Sequence, residues 1–598
     1  MNKELVIEYY KNRISDFENK KKKCENKDKY YSLIRLIVAI IGIVGFILLF
    51  QSNSVFGFIF LTFISFVFVY IVKTDLKNVA LIRQYENYIK INNKELNSIN
   101  YDKHEFYDGS DFIDKKHPYS SDLDIFGKFS IYEFVCRAFT LDGKKLLASW
   151  LSSPASKEEI KQRQVAIKEI SQKNEWRQKL IINEYNSKIT DKNISYKVLD
   201  WINTENEFNN NSYLKLFAKI FPALAIILTI LFFLKIIPIP ILVFSYLINT
   251  FIAFYFNKKV TIIHNRLSQN AELLNSYSNI LEIIEKEEYV SEKLNELKNN
   301  LIEDVNYSST SIKKLSIILR RLDTRYNVIV TLFVNLFLLY DINNAISLEE
   351  WKEKNKNKVK IWLETISYIE CLNSLGNLCF NHPEWSFPKI NDEKLFLEAE
   401  EIGHPLINDK NRICNNFNIN KGEIAFVTGS NMSGKSTFLR TIGVNMVLAY
   451  AGAPVCGKRF STYITNLYSS LRVADSLEEN LSSFYAELKT LERIMAKVKE
   501  KENIFVLLDE ILRGTNSEDR HKGSKALMLQ LIKNNSIGIV ASHDLVLANI
   551  NDEYKNLINY NFDVKVEQDE LFFDYKLNEG VCKSFNASIL MKKIGIDV

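Results

Sequence analysis

The stretch Thr428-Gly429-Ser430-Asn431-Met432-Ser433-Gly434-Lys435-Ser436-Thr437 places two glycines, a lysine and several hydroxyl side chains in the spacing G-x-x-x-x-G-K-S. Glycines at these positions let backbone N–H groups close around phosphate oxygens. A following helix adds the positive end of its dipole. Lys435 is expected to reach the β- and γ-phosphates, and the Ser436 hydroxyl to ligate Mg2+. Further along, Ile504-Phe505-Val506-Leu507-Leu508 runs into Asp509-Glu510. Asp509 suits a direct or water-mediated contact to the metal, and Glu510 suits polarising an attacking water. A third apolar run, Ile537 to Ala541, delivers Ser542-His543-Asp544, where His543 can sense a γ-phosphate. Taken alone, such a histidine is more often a satisfied polar residue; its company with the other two segments carries the functional reading.

These side chains need strands to hold them. Glu423 to Val427 reads as a buried strand leading into the glycine loop, and the residues after Thr437 read as a helix. Strand, loop and helix repeated in this order imply a parallel sheet with nucleotide at its carboxyl ends.

The rest of the chain has a different character. Its 598 residues leave room for about three or four domains. A content of 47% hydrophobic and 25% charged residues excludes wholesale disorder, and the net charge of +5 is too small to mark a nucleic-acid binder by electrostatics alone. The seven cysteines are scattered and never in C-x-x-C pairs, which points to reduced, mostly buried thiols rather than a disulfide framework or zinc site.

Leu36 to Phe50 and Val55 to Val72 are almost uncharged, with Gln51 to Ser54 between them, and read as a transmembrane hairpin. Phe217 to Leu234 and Ile239 to Phe256 form a second pair around Lys235 and Pro238. Lys and Arg flank the outer ends of both pairs, which sets the soluble portions on the cytosolic side. Buried core helices are the alternative reading. A fifth apolar run, Val328 to Tyr340, is too short to span and is expected to be a buried helix. Ile263, Leu267, Leu274, Tyr277, Leu281 and Ile284 recur at helical spacing and predict one long amphipathic helix.

From about Glu401 onward the chain resembles the ATPase domain of the MutS mismatch-repair proteins, a branch of the ABC-type ATPases. The resemblance rests on Gly403-His404-Pro405, the glycine loop, Ala449 to Val455, Asp475-Ser476-Leu477, Asn480 to Leu488 and Asp509 to Ser517, with Gly580 to Phe585 at the close. Leu123 to about Lys179 is more faintly similar to the start of the family's core helical domain. The resemblance implies ATP and Mg2+ bound between two ATPase domains of a homodimer. Ser482 and Ser483 stand where the family's signature serine reaches the partner's γ-phosphate, and Asp519 matches an acidic family position. It also implies DNA as a partner. The family's mismatch-reading F-x-E occurs here only as Phe396-Leu397-Glu398, just ahead of the ATPase segment, and no mismatch-reading domain is visible.

The expected fold is an α/β ABC-type P-loop ATPase domain at the C-terminus, preceded by mainly helical regions with two transmembrane hairpins. The segments are a basic cytosolic stretch (1–32), a first hairpin (33–73), a helical region with a partial MutS core-like segment (74–212), a second hairpin (213–257), a helical core or lever remnant (258–390) and the ATPase domain (391–598). Lys313, Lys314, Arg320, Arg321 and Arg325 could contact DNA phosphates or form an ordinary solvated face. The leading expectation is a membrane-anchored ATPase that binds DNA. An ATP-driven membrane scaffold or signalling module without DNA is the second. An ABC-type transporter comes last, because an L-S-G-G-Q signature is absent and the spans carry no internal charge.

Overall fold

The computed structural model describes residues 2–102, 105–186, 194–208, 212–303, 306–391, 397–430, 432–471, 483–500, 502–567 and 570–582. They form two compact units: Met1–Arg137 with Leu146–Gln172 and Leu372–Val598, and Ala138–Lys145 with Lys173–Cys371.

The first unit opens with a helical hairpin, α1 (Lys3–Ser52) and α2 (Ser54–Ile99). At 1.5 Å per residue, the 50 residues of α1 extend about 75 Å. Asn53 makes the turn: its side chain accepts the Val55 N–H at 2.9 Å and its own N–H bonds the Leu49 carbonyl at 2.7 Å. Around the turn the side chains are apolar and exposed, Ile43, Phe63 and Phe66 among them. Toward the open end the pairing becomes polar and aromatic. Arg35 meets Asp75 at 3.1 Å, Asn78 donates to the Cys24 carbonyl at 2.9 Å, and Phe17 stacks on Tyr88 at 4.4 Å. The basic N-terminal stretch is therefore continuous with the first apolar run and paired along α2.

In the second unit, α3 (Ser212–Phe233) and α4 (Ile239–Leu267) form the other apolar pair. The long amphipathic helix expected from Ile263 to Ile284 is two helices. Gln269 takes a left-handed φ of 63°, which ends α4, and a new helix starts at Ala271. The buried stripe Leu274, Tyr277, Leu281 and Ile284 is as expected. Next come α5 (Ser308–Leu322), α6 (Val328–Leu338) and α7 (Tyr340–Asn355). The expectation that the fifth apolar run is buried is not met. Val328 is 76% exposed and Ile329 71%, because α6 presents this face outward while only Asn335 is buried.

The C-terminal part of the first unit contains a six-stranded sheet. Its strands are β1 (Ile424–Gly429), β2 (Asn466–Ser470), β3 (Ile504–Asp509), β4 (Ile537–Ser542), β5 (Leu557–Glu567) and β6 (Glu570–Glu579). They lie in the order β6-β5-β1-β4-β3-β2, all neighbours parallel except β5 and β6. β1, β3 and β4 are buried throughout, the pattern of a sheet covered on both faces. The helices α8 (Lys435–Ala451) and α9 (Ser517–Lys533) follow β1 and β3. A separate four-stranded sheet joins Lys389–Ile390, Arg459–Thr462, Leu397–Ile402 and Asn415–Ile419 in that order.

Candidate nucleotide site

Parallel register brings the chemistry to one edge. Ser542 of β4 pairs with Thr428 of β1, and Ala541 pairs with Asp509 of β3, so the glycine loop, Glu510 and His543 all leave the sheet at the same end. Gly429 has φ 153°, and a Cβ there would lie 2.7 Å from Ser433 Oγ and 2.9 Å from the Phe562 carbonyl oxygen. Gly434, the N-cap of α8, has φ 105°. Both positions need glycine, and Gly434 leads directly into the N-terminus of α8. Met432 stands out from the loop, 81% exposed. Thr437 follows on the first turn of α8.

Lys435 is buried and donates to the carbonyls of Gly429 at 2.7 Å and Ser430 at 2.8 Å. Its Nζ is 4.0 Å from Glu510 Oε1. Burial lowers its pKa, against the opposing pull of Glu510 and Asp509. Ser436 donates its hydroxyl to Asp509 Oδ2, which joins the two residues expected to hold the metal. Burial raises the Asp509 pKa despite the Ser436 hydrogen bond. Glu510 sits just past β3 with φ 46°, its N–H bonded to the Ala541 carbonyl at 2.8 Å. His543 Nδ1 is 3.5 Å from Glu510 Oε1. The loop, Lys435, Ser436, Asp509, Glu510 and His543 are thus gathered together. Asn431 and Ser482 lie outside the described residues, and Ser483 begins the helix Ser483–Lys499.

The site accommodates a phosphate chain with a divalent ion. Among the described residues, Ser430 Oγ, Ser433 Oγ and Asp509 Oδ1 are buried without a hydrogen-bond partner, and buried polar atoms are normally satisfied. No group of three or more His, Cys, Asp or Glu suited to a metal occurs among the described residues. A cation at Ser436 and Asp509 would draw its remaining ligands from phosphate and water, the usual habit of Mg2+. A cavity of about 430 Å3 adjoins the loop; its lining combines Lys435, Ser436 and Glu510 with the apolar Ile407, Ile413, Phe562 and Tyr575. Such a lining suits a flat base beside a polyphosphate.

Several contributors lie beyond the residues singled out in the sequence. Arg513 Nε is 3.3 Å from Glu510 Oε2 and its Nη2 is 3.6 Å from Asp509 Oδ2, so one guanidinium braces both acids. The Glu487 carboxylate accepts the Leu512 N–H and so holds the loop behind Glu510. The three-residue step from Glu510 to Arg513 was the available clue to the first. Ile413 and Tyr575 had none, being far apart in sequence.

Comparison with known proteins agrees with this geometry. MutS domain V matches residues 425–594. The mouse protein named MutS protein homolog 4 is 28% identical over 234 residues, which cover 37% of this chain and 24% of that protein. DNA mismatch repair protein MutS of Aquifex pyrophilus is 29% identical over 259 residues, 42% of this chain and 28% of that protein. The corresponding protein of Persephonella marina is 26% identical over 238 residues, 39% and 27%. The chain thus matches about a quarter of the length of these curated relatives. The glycine loop, the acid pair and the strands between them thus lie on residues 425–594, the stretch that matches MutS domain V.

Proposed function

We propose that the chain is a membrane-anchored MutS-family ATPase. Its α/β domain, an ABC-type P-loop ATPase in this reading, binds ATP with Mg2+ in a homodimer sandwich and hydrolyses it to ADP and phosphate. The observation that carries this reading is the junction of Lys435, the Ser436 and Asp509 pair, and Glu510 at one sheet edge beside a nucleotide-sized cavity. Lys435 and the loop N–H groups hold the phosphates. Ser436 and Asp509 hold the cation, which neutralises charge on the phosphates when bound. Glu510, braced by Arg513, orients a water toward the γ-phosphate, and His543 faces the same carboxylate. The dimer assignment extends to Ser482 and Ser483 acting across the interface.

Among the described residues, four helices are long and apolar enough to cross a membrane, or five if α6 and α7 count as one bent span. With basic residues at their outer ends, they support an integral protein whose N-terminus and ATPase domain face the cytosol. DNA is the proposed partner because matched relatives carry names in DNA mismatch repair. A second reading, an ATP-driven membrane module without DNA, has its own observation. Of the basic residues that could meet phosphates, Arg325 is engaged by Asp341 at 2.7 Å, Asn257 at 2.6 Å and Thr261 at 2.7 Å.

Purified full chain in detergent is expected to hydrolyse ATP, and Lys435→Ala to abolish this; hydrolysis unchanged in the variant would reject the site. Titration with homoduplex, mismatched and branched DNA at several salt concentrations separates the two readings. Binding whose logarithm falls linearly with log salt supports DNA, and no complex even at low salt supports the second reading.

A further inference from the structure

The apolar helix α6 belongs to neither the nucleotide site nor the two hairpins, and its surroundings are unusual for a helix in water. Val328, Ile329, Leu332 and Phe333 are exposed by 55% to 76%, a continuous apolar face on eleven residues. Its other side rests on the second hairpin: Phe337 meets Tyr246 of α4 edge to face at 5.0 Å.

Two anchor points fix how α6 runs along α4. Just before α6, Arg325 is bonded to Asn257 and Thr261 of α4, next to Lys258 and Lys259 at the basic end of that helix. At its far end, the Leu336 carbonyl accepts Asn249 Nδ2 at 2.9 Å, and Phe337 packs on Tyr246. The distance from Asn257 back to Asn249 and Tyr246 along a helix is about 12–16 Å, roughly half of a ~30 Å hydrocarbon core. Past Phe337 the chain turns by 81° into α7, which comes straight back: Asp341 bonds Arg325 at 2.7 Å, and Asn343 donates to the Ala218 carbonyl near the cytosolic end of α3 at 2.9 Å.

The turn keeps its own carbonyls occupied by side chains. The last carbonyls of any helix lack intrahelical partners. Here Asn249 serves Leu336, while Asn343 Nδ2 donates to the Leu338 carbonyl at 3.0 Å and to that of Leu339 at 3.3 Å. Asn335 Oδ1 accepts the Asp341 N–H at the start of α7, at 3.0 Å. An exposed helix end in water needs no such side chains; one inside lipid does, since each unsatisfied group there costs several kcal/mol. Asn249 and Asn335 are both buried, at 0% and 8% exposure, within mainly apolar stretches of α4 and α6.

We infer that α6 is a re-entrant element that enters the cytosolic leaflet beside the second hairpin, its outer face covered by lipid acyl chains, and returns to the cytosol through α7. The inference rests on the membrane reading proposed above for α3 and α4. Arg320 and Arg321, exposed on the last turn of α5, precede this element and suit anionic headgroups.

The test uses the full chain reconstituted in vesicles of phosphatidylcholine and phosphatidylglycerol, with a nitrobenzoxadiazole fluorophore on an introduced cysteine. The signal of the equally labelled parent chain is subtracted. Phe333→Cys and Ile329→Cys report on α6; neither removes a packed side chain. Phe244→Cys, on the exposed face of α4, reports on the spans, and Val290→Cys, 91% exposed, reports on water. Nitroxides carried on acyl chains are expected to remove most emission at Phe333, Ile329 and Phe244 and none at Val290. Quenching at Phe244 without quenching at Phe333 and Ile329 overturns the inference and leaves the spans standing. The same pattern with α6 cysteines also shielded from water-soluble maleimide identifies a protein cover in place of lipid. Absence of quenching at Phe244 as well would defeat the membrane reading itself.

Discussion

Arg513 reaches both acids at the end of β3, at 3.3 Å from Glu510 and 3.6 Å from Asp509, without entering the phosphate loop. It is a positioning residue: its charge holds Glu510 toward the loop. Arg513→Ala is expected to slow ATP turnover on the order of 10²-fold while ATP affinity stays within a few-fold, because a misaligned base costs rate more than binding. Steady-state hydrolysis together with equilibrium nucleotide binding checks this; equal losses in both would assign Arg513 to binding. His404, which lines the same cavity, has its pKa pushed down to about 4 by burial and by the nearby Arg440 and Arg412. In the unfolded chain it titrates near 6.5, so between these values the unfolded state binds more protons. The folded state therefore has its full stability above about pH 6.5 and loses it as pH falls toward 4. Buried His382 and half-buried His117 are shifted the same way. Thermal unfolding midpoints should fall on acidification below that pH, with a shallower fall in His404→Gln. At this scale the glycine loop was legible because its chemistry is contiguous, Gly429 to Ser436. Arg513 is visible only once Glu510 has a position. Ile407, Ile413, Phe562 and Tyr575 meet only through the fold.

Among the elements, α2 ends in a buried cluster. Glu95 accepts from Arg137 Nε at 2.5 Å and Nη2 at 2.9 Å, from Asn377 at 2.9 Å and from Asn381 at 3.0 Å, while Tyr10 of α1 donates to Asn381 at 2.8 Å. Burial works to raise the Glu95 pKa, but Arg137 and the two asparagines outweigh it and hold the carboxyl below its ordinary range. The open end of the first hairpin is thus tied to the helix Val359–Asn381 by charge as well as by Val6, Ile99 and Phe380. Glu95→Ala leaves a buried guanidinium unpaired and is expected to cost about 3–5 kcal/mol. Glu95→Met combined with Arg137→Met should recover most of that. Denaturant titration of the detergent-solubilised protein compares them; an additive double variant would refute the pairing energy. Helix periodicity and apolar runs revealed α2, α3 and α4. They did not reveal that residues 3–32 join the first run in one helix, since that depends on partners in α2 such as Tyr88 and Glu86. Nor did they reveal the exposure of α6. A thirteen-residue run that is mainly apolar suits a core or a leaflet equally, and the exposure of Val328 and Ile329 follows only from how the fold places α6.

Across the whole molecule, an ordinary composition and a net charge of +5 blend two unlike parts, four nearly uncharged stretches and a charge-rich remainder. The match to the mismatch-repair proteins covers about a quarter of their length, and the MutS domain V match, residues 425–594, takes in the candidate nucleotide site. The two helical hairpins lie outside residues 425–594. The central claim is that the gathered loop, acids and cavity hydrolyse ATP. Its most direct test is paired binding and turnover of ATP with Mg2+ by the full chain and by Glu510→Gln in the same detergent. The account predicts that the natural chain turns ATP over, and that Glu510→Gln binds ATP as tightly but turns it over at least about 10²-fold more slowly. Equal turnover by both proteins, or no binding of ATP by either, would contradict it.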